Sequence, residues 1–136
     1  MSKDPRILIS HITECIALIE RYARRKTARQ FLNSVALQDS VIRRLEIIGE
    51  ATKNLTEILK ADYPEVPWRK MANLRDVLIH EYFGIDLEII WKIVRKDIPK
   101  LKKQILEIQN KLAGKVIDFT KIKKGGVKID EILRRL

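Results

Sequence analysis

Apolar residues recur along this chain at three- and four-residue steps, in runs broken by proline and by turn-forming clusters. That period is the signature of amphipathic helices. Asp4-Pro5 makes a good helix start, with Asp as cap and Pro in the first turn. Leu8, Ile12, Cys15, Ile16, Ile19, Tyr22 and Ala23 then form one stripe, which predicts a first helix to about Arg25. Thr27 caps a short second helix ending near Ser34. A long third helix carries Leu37, Val41, Leu45, Ile48, Thr52, Leu55 and Leu59. Gly49 lies inside it and costs about 1 kcal/mol relative to alanine, so a close helix–helix approach is expected there. Tyr63-Pro64-Glu65-Val66-Pro67 breaks the pattern. Pro67 opens a helix to His80, with Gly84 expected as a left-handed cap just beyond it. Asp86 caps the next helix, whose stripe runs from Leu87 through Trp91, Ile98 and Ile105 to Leu112, with a kink expected at Pro99.

Short links between long helices favour antiparallel neighbours. The expected fold is therefore all-α, an antiparallel helical bundle over residues 1–112, with the third helix and the Pro99 helix as its central pair. Ala113-Gly114 reads as a stop. Residues 113–136 read as a basic C-terminal appendage, with a strand from Lys115 to Ile122 and a short helix from Ile129 to Leu136.

The 136 residues suit one domain. Charge changes the picture more: 28 basic against 18 acidic residues leave a net +10. That attracts polyanions such as nucleic acid or an acidic partner protein. Arg21, Arg24, Arg25, Lys26 and Arg29 concentrate part of it near the first helix end. The single Cys15 cannot form an intrachain disulfide. No signal peptide and no apolar run near membrane-spanning length is visible, so a cytoplasmic, soluble protein without a membrane role is expected.

Candidate chemistry concentrates in Asn73-Leu74-Arg75-Asp76-Val77-Leu78-Ile79-His80-Glu81-Tyr82. On a helical wheel with Arg75 at zero, Asp76 falls at about 100° and His80 at about 140°. Asp76 and His80 thus share a face and Arg75 flanks it. An aspartate there can orient the imidazole and favour its charged form. Breaking an RNA backbone needs a base for the ribose 2′-hydroxyl, an acid for the leaving 5′-oxygen and a cation for the phosphoryl oxygens. Histidine can fill either proton role and arginine the third. One imidazole cannot easily act on both sides of the phosphorus, and a two-fold dimer would supply two His80 and two Arg75. A capping and salt-bridge cluster would use the same residue types.

Arg75-x4-His80-x-Tyr82 resembles the Arg-x4-His-x-Tyr signature of HepT toxins within the HEPN superfamily. Arg43-Arg44-Leu45-Glu46-Ile47-Ile48-Gly49-Glu50-Ala51, Pro67-Trp68, Glu81-Tyr82-Phe83-Gly84-Ile85-Asp86, Ile90-Trp91 and Asp97-Ile98-Pro99 agree in order, so the likeness covers about residues 4–112. The resemblance implies a homodimeric HEPN-like bundle whose paired motifs line a cleft. It implies a metal-independent endoribonuclease, with no cofactor, that acts as the toxin of a toxin–antitoxin pair. Its partner would be an MNT-type nucleotidyltransferase antitoxin that moves AMP from ATP to the motif tyrosine. Carried onto this chain, Arg75 binds the scissile phosphate, His80 transfers protons, Asp76 supports the site and Tyr82 is the modification site. The competing reading is a catalytically inactive helical scaffold that binds a nucleotidyltransferase or nucleic acid.

Other signals are weaker. His11 and Cys15 sit at i, i+4, but two ligands do not make a metal site. Trp68 and Trp91 lie on apolar faces and read as core or dimer packing rather than base stacking. Glu46 and Glu50 are expected to pair with Arg43, Arg44 or Lys53.

Overall fold

The computed structural model describes residues 4–116, which form helices and turns throughout. In order these are α1 (Pro5–Ala23), α2 (Ala28–Leu32), α3 (Val35–Asn54), α4 (Glu57–Asp62), α5 (Trp68–His80), α6 (Leu87–Lys92) and α7 (Ile98–Val116). A 3-10 turn covers Tyr82–Gly84 and a π-helical turn covers Ile93–Asp97. The expected caps act as such: the side chains of Asp4, Thr27 and Asp86 each accept a backbone N–H of the first turn that follows. Ser34, expected only near the end of the second helix, does the same for α3. Thr27 and Gln30 complete a reciprocal capping box.

The apolar stripes meet in one core. Leu8, Ile9, Ile12 and Ile19 of α1, Phe31 of α2, Val41 of α3 and Ile105 of α7 are fully buried. Each such side chain contributes about 1.5–3 kcal/mol by leaving water. Trp91 stacks on Phe31 with ring centroids 5.1 Å apart, and Trp68 is buried with its indole N–H donated to the Tyr63 carbonyl. Both tryptophans are thus core residues. Cys15 is buried too, and burial pushes its thiol above the ordinary value. Among the described residues no three His, Cys, Asp or Glu side chains converge as metal ligands. No described helix is long and apolar enough to cross a membrane.

Several local expectations fail for identifiable reasons. The third helix ends at Asn54, because Thr56 accepts the Leu59 N–H and starts α4 separately. Leu55 stays buried, so the stripe continues across a broken backbone. Gly84 takes no left-handed conformation; α5 ends at His80 with Glu81 as its cap, and the Gly84 N–H closes the 3-10 turn onto the Glu81 carbonyl. The irregularity expected at Pro99 is present, as a π turn just before it in which the Ile98 N–H reaches back five residues to Ile93. The wider turn relieves the crowding a proline ring imposes on the preceding one. Ala113-Gly114 is no stop, since α7 runs through both to Val116. Helix thus replaces the start of the expected strand, and the rest of the appendage lies outside the described residues. The central pairing also differs. The main neighbours of α3 are α1 and α5, while α7 packs on α1. A stripe reveals that a face is buried, not which helix covers it.

Candidate active site

Gly49 sets the position of the motif helix. A β-carbon at Gly49 would overlap the Arg75 Cβ and lie 2.7 Å from the Met71 carbonyl oxygen. α3 and α5 therefore touch backbone to side chain at this crossing, as the helical glycine led one to expect. The contact brings the C-terminal part of α3 alongside Arg75 and Asp76.

Four charged side chains meet there. Arg75 Nη1 donates to Asp76 Oδ1 at 3.0 Å, and Lys53 Nζ donates to the same oxygen at 2.9 Å. Arg75 Nε lies 3.0 Å from Glu50 Oε2, an ion-pair contact without the alignment of a hydrogen bond. Asn54 Nδ2 lies 3.3 Å from the other Glu50 oxygen and holds that carboxylate from its own helix. Arg75 is thus braced by Glu50 and Asp76, yet 23% of its side-chain surface stays open to a ligand. The Lys53 and then the Arg75 hydrogen bonds hold the Asp76 carboxyl below its ordinary value.

His80 is oriented differently from the expectation. The Asp76 carboxylate is occupied by Lys53 and Arg75, and the imidazole instead bonds the Asp76 main-chain carbonyl, Nδ1 to oxygen at 2.9 Å. A carbonyl oxygen only accepts, so Nδ1 carries the proton in this bond. Nε2 is then the nitrogen with the exposed lone pair when the ring is neutral. Asp76 acts on the histidine through its backbone and on the arginine through its side chain.

Tyr82 follows in the 3-10 turn; its side chain lies outside what the structure describes. Phe83, which follows it, is exposed, as are Val77 and Ile79 on α5 and Ile89 on α6, so exposed apolar residues flank the motif in sequence. Arg75, Asp76 and His80 are brought together as the local spacing predicts. Glu50 and Lys53 belong to the same cluster. Their expected partners were local cations or each other, and the structure pairs them across helices with Arg75 and Asp76. Glu46 does pair with Arg43, at 3.9 Å. The signal that could have found Glu50 was Gly49, which marks where another helix must come close.

Comparison with known proteins points one way. The profile of a family described as "Ribonuclease HepT-like" matches residues 12–108. A Methanocaldococcus jannaschii protein named "Gamma-glutamylcyclotransferase and putative RNase" is 52% identical over 112 residues, 82% of this chain and 50% of its own length. This chain therefore spans half of that relative. A Thermococcus cleftensis protein named "Probable ribonuclease HepT" is 47% identical over 75% of this chain and 93% of its own. A "Putative RNase" of Caldanaerobacter subterraneus is 44% identical over 80% of this chain and 97% of its own. No solved structure matches the chain.

Proposed function

This chain belongs to the HepT-like ribonuclease family, and on that premise we propose that it is an endoribonuclease, the toxin of a toxin–antitoxin pair, that cleaves RNA with Arg75 and His80. The observation that carries the reading is the His80 hydrogen bond to the Asp76 carbonyl, which leaves Nε2 as the free nitrogen of an exposed imidazole beside a braced guanidinium.

The chemistry follows from those two groups. Neutral Nε2 accepts the ribose 2′-hydroxyl proton while the 2′-oxygen attacks phosphorus. The P–O5′ bond breaks, and an imidazolium gives its proton to the leaving 5′-oxygen. The products are a 2′,3′-cyclic phosphate and a 5′-hydroxyl. Arg75 receives the charge that builds on the phosphoryl oxygens. Proton removal and proton delivery occur on opposite sides of the phosphorus, so two imidazoles serve better than one. A homodimer joined over the exposed apolar residues that flank the motif would provide both. A nucleotidyltransferase antitoxin would silence the site by transferring AMP to Tyr82. The Tyr82 oxygen would displace pyrophosphate from ATP, and the new phosphodiester charge would compete for Arg75.

One observation favours a second reading, the inactive scaffold. Arg75 already has two carboxylate neighbours, as a purely structural ion cluster would. RNA cleavage in the presence of a chelator, with intact mass measured with and without the co-expressed partner, separates the two. Chelator-resistant cleavage that disappears when one AMP mass is found on the Tyr82 peptide supports the toxin. Tight RNA or partner binding without cleavage supports the scaffold.

A further inference from the structure

The stretch from the end of α1 through α2 carries a feature the cleavage chemistry does not use. Between Glu20 and Asp39 the chain has five cations, Arg21, Arg24, Arg25, Lys26 and Arg29, and no acidic residue. All five are exposed, and none is ion-paired among the described residues. Elsewhere Lys53, Lys60, Lys102 and Lys111 each meet a carboxylate. Lys26 and Arg29 line an open groove of about 610 Å³ between α2 and the first turns of α3, with Gln30, Asn33 and Ser40 among its polar walls. Cations, amides and two hydroxyls, without a carboxylate in the lining, suit a phosphodiester backbone.

The turn that delivers the cations adds a second observation. Lys26 N–H bonds the Ala23 carbonyl, Arg24 has φ −58° and ψ 127°, and Arg25 has φ 59°. This is a type II turn with arginine at the position that favours glycine. Arg25 is the one non-glycine residue with positive φ among the described residues. Glycine there would be free of the steric cost, so the backbone is carrying a charge at a strained position.

We propose that this groove, with Arg25, Lys26 and Arg29, docks the single-stranded RNA that flanks the cleaved bond. The proposal rests on the ribonuclease reading and deepens it. The groove centres near Leu37 and the catalytic cluster near Glu50 and Lys53 on the same helix. At 1.5 Å per residue their separation along the helix axis is roughly 20 Å, and at about 100° per residue they lie on different faces, so a strand reaching both passes around α3. A strand touching both sites gains affinity that a dinucleotide cannot.

The test is fluorescence anisotropy of a labelled RNA of ~20 nucleotides, long enough to span that distance, with the full chain carrying His80→Ala to prevent cleavage. Lys26→Ala with Arg29→Ala should weaken binding roughly tenfold and flatten the salt dependence by about 1.4, at about 0.7 per phosphate contact on a single strand. Arg25→Gly should weaken binding severalfold while the melting temperature holds or rises, which separates lost charge from lost folding. With His80 restored, these variants should cleave a dinucleotide at the unaltered chain's rate and long RNA less efficiently. Unchanged affinity for long RNA, or an equal loss on the dinucleotide, overturns the proposal. So does displacement of the RNA by poly-glutamate as effective as by unlabelled RNA of equal charge, which would make the groove a site for an acidic protein. If the unaltered chain cleaves nothing, the ribonuclease reading fails, while the anisotropy series still decides the groove.

Discussion

The His80 ring donates from Nδ1 to a carbonyl, and the substrate would meet Nε2. General acid–base catalysis typically contributes 10²–10⁴-fold. His80→Ala should therefore lower kcat by at least about 10²-fold with the fold intact by circular dichroism. Arg75→Lys should also impair cleavage, because an ammonium cannot reproduce the fork that reaches both Asp76 and a phosphate; a wild-type rate would remove Arg75 from the chemistry. Asp76 gives a prediction in pH. Lys53 and Arg75 favour its ionised form. Its depressed folded-state value means this interaction contributes fully above the ordinary carboxylate range near about 3.9 and is lost as pH falls through the folded value. NMR titration should place the Asp76 midpoint below that range, and Lys53→Met should move it up. At this scale Arg75, Asp76 and His80 were legible, since they lie within two turns of one helix. The His80 hydrogen bond was not, because its acceptor is backbone and carries no sequence signal. The roles of Glu50 and Lys53 were not either, since they lie more than twenty residues from their partners.

Between elements, the α3–α5 crossing has the least room. Gly49→Ala puts a methyl group against Arg75 and the Met71 carbonyl, so α5 must shift. Overpacking of this kind costs about 1–3 kcal/mol. Denaturant melts should show that loss, and cleavage should fall with it because Arg75 and His80 ride on the displaced helix. A fully stable, fully active Gly49→Ala would mean the crossing is loose. Helix existence and most caps were written locally, in Asp4, Thr27 and Asp86. The ends after α3 and α5 and the π turn before Pro99 were not. There hydroxyl capping, a 3-10 closure and steric relief around a ring compete within a few residues.

For the molecule as a whole, the proposed two-fold arrangement sets a concentration dependence. Diluting the protein below its dimer dissociation constant should lower cleavage per chain, and a charged substitution at exposed Ile79 or Ile89 should do so at higher concentration. Sedimentation velocity run beside the cleavage assay checks both; a monomer with undiminished activity would refute the shared site.

Periodicity, caps and the spacing of Arg75, Asp76 and His80 were settled by the sequence alone, because each depends on neighbours within a turn or two. Which helix covers which stripe, the Glu50 and Lys53 contacts with α5, and the bond that selects Nε2 were decided only by tertiary structure. An apolar face specifies burial without specifying its cover, and a charge specifies attraction without specifying a partner. At the α3–α5 crossing, the close approach at Gly49 turned those open preferences into particular contacts.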